Sequence, residues 1–403
     1  MSIFQQICPN SNSSIYFWSQ VENPFAHSED LSIIHSSPLL FTSKLKKDKI
    51  AIVYLTENNL FFSNSDGTWY SIYIKWCLFG TFVEELENGQ EIFGFTLNTY
   101  NTKLDFYTDD SEDLNKWIEN LSDLTVMSDF ELYYFTIKHL DSGNFGTIYL
   151  CQDLQTNEKF AVKKIPKSKL QNRKLLKCCY NEINIQKKLN HPNVAKLFRV
   201  FENNKEILLV IEYVKGENLA EIIHKYRNLA EKQVKKFTKV LLTTVFHLHE
   251  LGIIHRDIKP ENIMVRGSTD LLNFKIIDFG LACYADQNEN LCAGSIGYMA
   301  PEMLMHKPYD TKVDIYALGV TVYALLTGYA VFDKSNLEEL IELNASGKAN
   351  FSSRILRNFS LEARNFLKLT LCADSRSRPP ASLLLSSEWF VQCISKPVLT
   401  SSV

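Results

Sequence analysis

The rhythm of hydrophobic and polar positions changes three times along this chain. Residues 1–36 mix Ser, Asn and aromatics without a clear period. They read as a tail in which Phe17, Trp18 and Phe25 either cap a neighbouring domain or belong to a loose segment. From 37 onward the apolar runs become short, β-branched and aromatic, at 39–41, 50–55, 60–62 and 69–74. Turn signals at Asn58-Asn59 and Ser65-Asp66-Gly67 part them, which predicts strands, and further strands are expected at 77–84, 92–97 and 103–107. At 111–121 the period changes: Leu114, Trp117, Ile118 and Leu121 form the i, i+3, i+4, i+7 stripe of an amphipathic helix, with Asp110 or Ser111 as its cap. Residues 122–131 read as a connection too short to reach far. Beyond it, 160–164 reads as a strand and 219–250 as two helices.

Composition adds limits. The 403 residues leave room for two domains or three small ones, and 45% hydrophobic with 22% charged residues suits a globular chain. No apolar run approaches the roughly 18 residues of a membrane span. The start lacks a signal-peptide pattern and the arginines of a transit peptide, and Ser2 excludes myristoylation. The expected compartment is the cytoplasm, with the nucleus left open. Nine cysteines without a C-x-x-C pair are expected to stay reduced. The net charge of −3 hides an asymmetry: residues 36–125 carry 7 Lys against 14 acidic residues, and the part after 125 is basic. Opposite charge could draw the two parts together, or each could be solvated independently.

The candidate chemistry is concentrated in the octapeptide 255–262, His-Arg-Asp-Ile-Lys-Pro-Glu-Asn. Phosphoryl transfer needs a carboxylate to orient the attacking hydroxyl, a cation to neutralise developing charge, and an oxygen donor for a metal. Asp257, Lys259 and Asn262 are those groups, and sixteen residues later Asp278-Phe279-Gly280 supplies a second metal-binding carboxylate. The two motifs in this order resemble the eukaryotic protein kinases over roughly residues 130–395.

The resemblance implies ATP and Mg²⁺ as cofactors, bound between two lobes. The segment Ser142-Gly143-Asn144-Phe145-Gly146, with Ile148, resembles the glycine-rich phosphate loop, although Asp141 stands where the family has its first glycine. That carboxylate is expected to weaken nucleotide binding. Lys163, on a strand with Ala161, takes the register of the phosphate-binding lysine, and Lys164 should face solvent. Glu182 is its implied ion-pair partner. Ile211 would be the gatekeeper, Glu212 and Val214 the adenine-binding hinge, and Met264 the residue under the base. The implied catalytic residues are Asp257, Lys259 and Asn262, and the implied metal ligands are Asn262 and Asp278.

Other positions depart from the pattern. Gln186 replaces the hydrophobe expected four residues after Glu182, which suggests a helix whose active position is marginal. Between Asp278 and Glu302 there is no threonine, and Leu291 occupies the usual phosphothreonine position. Arg256 would ordinarily pair with that phosphate; Asp286 or Glu289 is expected to stand in, so that loop phosphorylation is not obligatory. Ser295 is expected to hydrogen-bond Asp257 and Lys259, Asp314 to anchor the catalytic loop, and Arg378 to bury a salt bridge with Glu302. Lys259 marks serine/threonine specificity, and Glu261 suits a basic residue beside the acceptor.

The expected architecture is α+β with two domains. Seven strands and a closing helix with Trp117 in its core resemble a pleckstrin-homology (PH) domain over 37–125, a β-sandwich or barrel capped by one helix. A bilobal kinase domain follows over 130–395, with a β-rich N-lobe and a helical C-lobe; 1–36 and 396–403 are tails. Lys44, Lys46, Lys47 and Lys49 fall where PH members contact inositol phosphates, but Ala51 replaces an arginine those members use, so docking or intramolecular regulation is favoured over phosphoinositide recruitment. The later part resembles the calcium/calmodulin-dependent kinase group, yet no calmodulin target or EF-hand pattern appears. The expected partners are proteins with Ser/Thr acceptors and no nucleic acid. The competing readings are a pseudokinase scaffold and a lipid-recruited kinase.

Overall fold

The computed structural model describes residues 19–25, 32–43, 46–64, 66–75, 77–86, 89–98, 103–143, 145–227, 229–267, 270–287, 291–349, 351 and 354–391. The chain divides into two compact units. One is Met1–Leu176 with Leu197–Tyr213; the other is Lys177–Lys196 with Val214–Val403.

The first unit begins with β1 (Ser19–Val21), β2 (His35–Ser43), β3 (Lys46–Leu55), β4 (Asn59–Ser63) and β5 (Trp69–Tyr73). It continues with β6 (Leu78–Glu85), β7 (Glu91–Asn98), β8 (Lys103–Thr108), α1 (Ser111–Leu124) and the two-residue β9 (Val126–Met127). Then come β10 (Tyr134–Ser142), β11 (Thr147–Asp153), β12 (Lys159–Pro166), the start of α2 (Arg173–Lys188), β13 (Leu197–Glu202) and β14 (Glu206–Glu212).

Strands β2 to β5 and β6 to β8 form two antiparallel meanders, joined where β2 pairs with β8. Their inward positions, Leu39, Val53, Phe62, Phe79, Phe95 and Phe106 among them, are buried. Helix α1 starts where Asp110 accepts the Glu112 N–H at 2.8 Å. Its Trp117 is fully buried, packs on Phe95 at 5.4 Å between ring centroids, and donates its Nε1–H to Ser37 Oγ at 2.9 Å. Ser37 in turn donates to Asp113 Oδ2 at 2.7 Å, and His35 Nε2 lies 3.1 Å from Asp113 Oδ1. A polar chain thus fixes α1 on β2 while its apolar stripe enters the core. Phe25 is settled as well: its ring packs against Tyr54 and Trp69, beside β1, which pairs with β5.

Residues 122–131 are more than a connection. Val126 and Met127 pair in parallel with Leu78 and Phe79 of β6, and Met127 pairs in parallel with Phe201 of β13. Val126 donates to Cys77 O at 3.0 Å and Ser128 to Phe79 O at 2.8 Å. One short strand therefore joins two antiparallel sheets into a single sheet of 14 strands, in the order β1-β5-β4-β3-β2-β8-β7-β6-β9-β13-β14-β12-β11-β10. The core is continuous across the join: Phe79, Trp117, Met127, Phe130, Tyr134 and Phe201 belong to one apolar cluster. Each fully buried side chain of this kind contributes about 1.5–3 kcal/mol.

The second unit holds most of α2 and then β15 (Gly216–Asn218), α3 (Leu219–Tyr226), α4 (Glu231–Glu250), β16 (Ile253–Ile254), β17 (Ile263–Arg266), β18 (Phe274–Ile276) and β19 (Cys283–Tyr284). It ends with α5 (Pro301–Leu304), α6 (Lys312–Thr327), α7 (Leu337–Ser346), α8 (Leu361–Thr370) and α9 (Ala381–Leu384). Helix α6 is buried along almost its whole length, the mark of a central helix. Strands β15, β17 and β18 form one small sheet and β16 with β19 another. Among the described residues no helix is long and apolar enough to cross a membrane.

Candidate active site

In the second unit the chain between β16 and β17 is the loop that carries Asp257. A buried carboxylate holds its backbone: Asp314, on α6 and fully buried, accepts the His255 N–H at 2.9 Å and the Arg256 N–H at 2.8 Å. His249 Nε2 lies 3.0 Å from the same carboxylate. Burial alone would raise the Asp314 pKa, but the His249 hydrogen bond and the neighbouring His255 hold it below the ordinary carboxylate value. His255 is itself buried, which lowers its pKa, and its ring meets Phe279 edge-on at 4.7 Å.

This anchoring supports an uncommon backbone. Arg256 and Asp278 are both in the left-handed region, at φ 66° and 57°. Non-glycine residues pay for that conformation and keep it only where surroundings impose it, commonly at functional sites.

Three side chains converge on Asp257. Lys259 Nζ lies 2.9 Å from Asp257 Oδ2, and Ser295 donates its hydroxyl to Asp257 Oδ1 at 2.8 Å. Lys259 Nζ also reaches Ser295 Oγ at 2.6 Å. Asn262 Nδ2 donates to Asp257 Oδ2 at 2.8 Å and to its carbonyl at 2.9 Å. The contacts that the resemblance implied for Ser295 are therefore present. Because Asn262 spends its amide nitrogen on Asp257, its carbonyl oxygen is left as the acceptor that a hard cation would use. Asp278 is half-buried, with one oxygen accepting the Gly280 N–H at 3.1 Å. Among the described residues there is no group of three or more His, Cys, Asp or Glu fit to hold a metal unaided. One carboxylate plus one amide oxygen instead suits a cation that draws its other ligands from phosphate and water.

In the same unit Met264 is half-buried on β17, opposite Asn218 in β15, and Val214 is buried. Glu182 is buried on α2, as is Gln186, whose amide oxygen and nitrogen both lack a hydrogen-bond partner.

In the first unit β10 and β11 form the hairpin expected around the glycine-rich loop, with Ser142 opposite Thr147 and Asp141 opposite Ile148. Gly143 donates its N–H to Gly146 O at 2.9 Å, closing the tip. Gly146 is required for packing, since a Cβ there would lie 2.2 Å from Lys164 O. Asp141 turns its carboxylate back on the chain, accepting the Ser142 N–H at 2.7 Å. Asn144 lies outside the described residues. On β12, Ala161 faces Ile211 across the pair with β14, where Glu212 is half-buried, and Lys163 sits opposite Ile148 on β11. Lys163 is buried, with its Nζ 5.6 Å from the centre of the Phe145 ring. Lys164 points to the other face, as strand alternation requires. It is not simply solvated, because its ammonium covers the rings of Phe130 and Tyr149 at 5.6 and 5.0 Å.

Arg378 makes the bidentate pair with Glu302, at 2.7 and 3.1 Å, and both are buried. Asp286, by contrast, does not pair with Arg256: it stands exposed, while the guanidinium donates to Leu281 O at 2.6 Å and to Tyr309 Oη at 3.1 Å. Glu289 lies outside the described residues, as does Lys44, and the side chains of Lys46, Lys47 and Lys49 are likewise outside the description. Tyr309 carries no motif signal and was not anticipated.

Residues 134–390 match the family described as protein kinase domain. Among curated proteins, the chain is 32% identical over 275 residues to a probable serine/threonine-protein kinase 2 of Plasmodium falciparum, covering 68% of this chain and 53% of that protein. It is 32% identical over 295 residues to a calcium-dependent protein kinase 5 of Plasmodium berghei (72% and 51%). It is 34% identical over 272 residues to the serine/threonine-protein kinase cds1 of Schizosaccharomyces pombe (64% and 58%). The chain spans about half the length of the curated relatives it matches.

Proposed function

The chain belongs to the protein kinase family, and from that membership we propose that it is a serine/threonine protein kinase transferring the γ-phosphoryl group of ATP to protein hydroxyls. The observation that carries the reading is the Asp257 constellation, in which Lys259, Asn262 and Ser295 all contact one carboxylate.

Asp257 orients the acceptor hydroxyl and takes its proton, in place of the Ser295 hydroxyl that Oδ1 now accepts. Lys259, 2.9 Å from that carboxylate, lies close enough to offset charge at the transferred phosphoryl group. Asp278 and the Asn262 amide oxygen would hold the divalent metal, Mg²⁺ in this reading, which would supply charge neutralisation at the phosphates. Gly143, Phe145 and Gly146, with Ser142 and Ile148, would border the phosphates, and Lys163 on the same sheet would contact them. Toward the adenine, the first unit would offer the Glu212 backbone and Ala161, and the second unit the Val214 backbone and Met264. Asp141 is less of an obstacle than its charge suggests, because its carboxylate already has a donor.

The seven strands β2 to β8, two meanders joined through β2 and β8, together with α1 support a PH-like module in the first unit, with a docking or regulatory role. The net acidic charge of 36–125 opposes recruitment to anionic lipid.

The test is phosphate transfer from Mg·ATP to a generic basic protein by the full chain and its Asp257→Ala variant. Loss of the general base should lower the rate on the order of 10²–10⁴-fold. Wild-type protein that binds nucleotide and transfers nothing would turn the reading toward a scaffold.

A further inference from the structure

Arg256 poses a problem of charge. Arg256 is only 5% exposed, and among the described residues no carboxylate reaches its guanidinium. A buried cation without an anion is costly unless its donors are satisfied. Here Nε donates to Leu281 O at 2.6 Å, and Nη1 donates to the hydroxyl of Tyr309 at 3.1 Å. That hydroxyl in turn donates to Leu291 O at 2.8 Å. Leu281 and Leu291 both lie within the segment that leads from Asp278 to Glu302.

We propose that Tyr309 is a positioning residue that holds this segment in its working conformation without phosphorylation, its hydroxyl linking the Arg256 guanidinium to the Leu291 backbone. The inference rests on the kinase reading above.

The chemistry of the link favours a phenol. A neutral hydroxyl accepts from Arg256 and donates to a carbonyl at the same time, whereas a phosphate only accepts. Burial raises the Tyr309 pKa, so the proton that reaches Leu291 stays in place. The partners are also suited to it. Leu291 cannot be phosphorylated, and no threonine lies between Asp278 and Glu302. The hydroxyl of Ser295 is engaged by Asp257 and Lys259. A further approach closes the same region: a Cβ on Gly294 would lie 2.8 Å from Arg256 O, so the segment rests on the backbone of the arginine whose side chain tethers it. The pairing of Ile254 with Cys283 fixes its other end.

The experiment compares the full chain with its Tyr309→Phe variant, in which the ring stays and the hydrogen bonds to Arg256 and Leu291 go. Two readouts are used, steady-state kinetics with Mg·ATP and a basic protein, and hydrogen exchange of the amides of 291–295. Losing two hydrogen bonds is expected to lower kcat about tenfold with KM for ATP changed less than about twofold, and to raise exchange at 291–295 by a similar factor. Adding Leu291→Glu to Tyr309→Phe gives Arg256 a carboxylate from the segment itself and should recover kcat, a rescue that a purely structural tyrosine would not allow. Phosphatase treatment of the wild type should leave its rate unchanged. Wild-type kcat and exchange in Tyr309→Phe, or loss of wild-type activity on phosphatase treatment, overturns the proposal. If the wild type transfers no phosphate, the kinase reading fails, while exchange at 291–295 still decides whether Tyr309 tethers the segment.

Discussion

At the scale of single residues, the least comfortable side chain is Gln186. It is 1% exposed, and neither end of its amide has a partner. An unpaired buried amide costs about 1–3 kcal/mol, so Gln186→Leu should raise the thermal midpoint and, by easing the active placement of α2, the basal transfer rate. An unchanged rate in a side-by-side assay would remove the link between this residue and activity. Acidity acts at the same scale. Burial lowers the His255 pKa from its ordinary 6.5, and that of His191 is lowered too. An unfolded chain takes up those protons near pH 6.5 and the folded one resists, so stability should fall as pH drops below about 6.5. Asp314 runs with the same sign in a lower window: its folded pKa is depressed, so its contribution is intact above the ordinary 3.8 and fades as pH falls through the folded value. The urea midpoint should therefore be lower at pH 5.5 than at 7.5, and the difference smaller in His255→Gln. Equal midpoints would contradict this.

At the scale of elements, the smallest strand has the widest consequence. Strand β9 has two residues, yet it is paired on both sides, with β6 and with β13. Proline cannot donate in a ladder and is confined to edges, so Val126→Pro removes the bond to Cys77 O from an interior strand. A loss of about 3 kcal/mol or more is expected, by analogy with proline inside a helix, read as a lower denaturant midpoint. A midpoint within error of wild type would mean that β9 is not an interior strand in solution. Helix α1 is the contrasting case. Its stripe of Leu114, Trp117, Ile118 and Leu121 was legible because 3.6-residue periodicity is local, and its cap at Asp110 follows from the same few residues. Strands β2 to β8 were legible for the same reason, each being a short apolar run between turns. Strand β1, three residues within a region without period, offered no such signal and depends on its pairing with β5.

At the scale of the molecule, the sheet of the first unit decides what can be separated. Residues 1–125 and the strands from β10 to β14 share one sheet and one apolar cluster. Removing 1–125 would expose Phe130, Tyr134 and Phe201, together with the side of β9 that pairs β6. A chain beginning at 126 is therefore expected to aggregate or to unfold without cooperativity. A soluble truncated chain with the full-length thermal midpoint would show that the two parts are independent.

Much of the candidate site could be read from the sequence, because its residues carry chemistry at fixed short spacings. Asp257, Lys259 and Asn262 lie within one loop, so their spacing is legible locally, although Asp314 from α6 holds the backbone that brings their side chains together. The same holds for the Ser142–Gly146 turn between two alternating strands. What the tertiary structure alone decided are the contacts between residues distant in sequence: Val126 with Cys77, Met127 with Phe201, and Tyr309 with Arg256 and Leu291. Local patterns record which face of an element is apolar. They do not record which distant carbonyl completes a tyrosine hydroxyl's hydrogen bonds, because that partner is chosen only when the whole chain has packed.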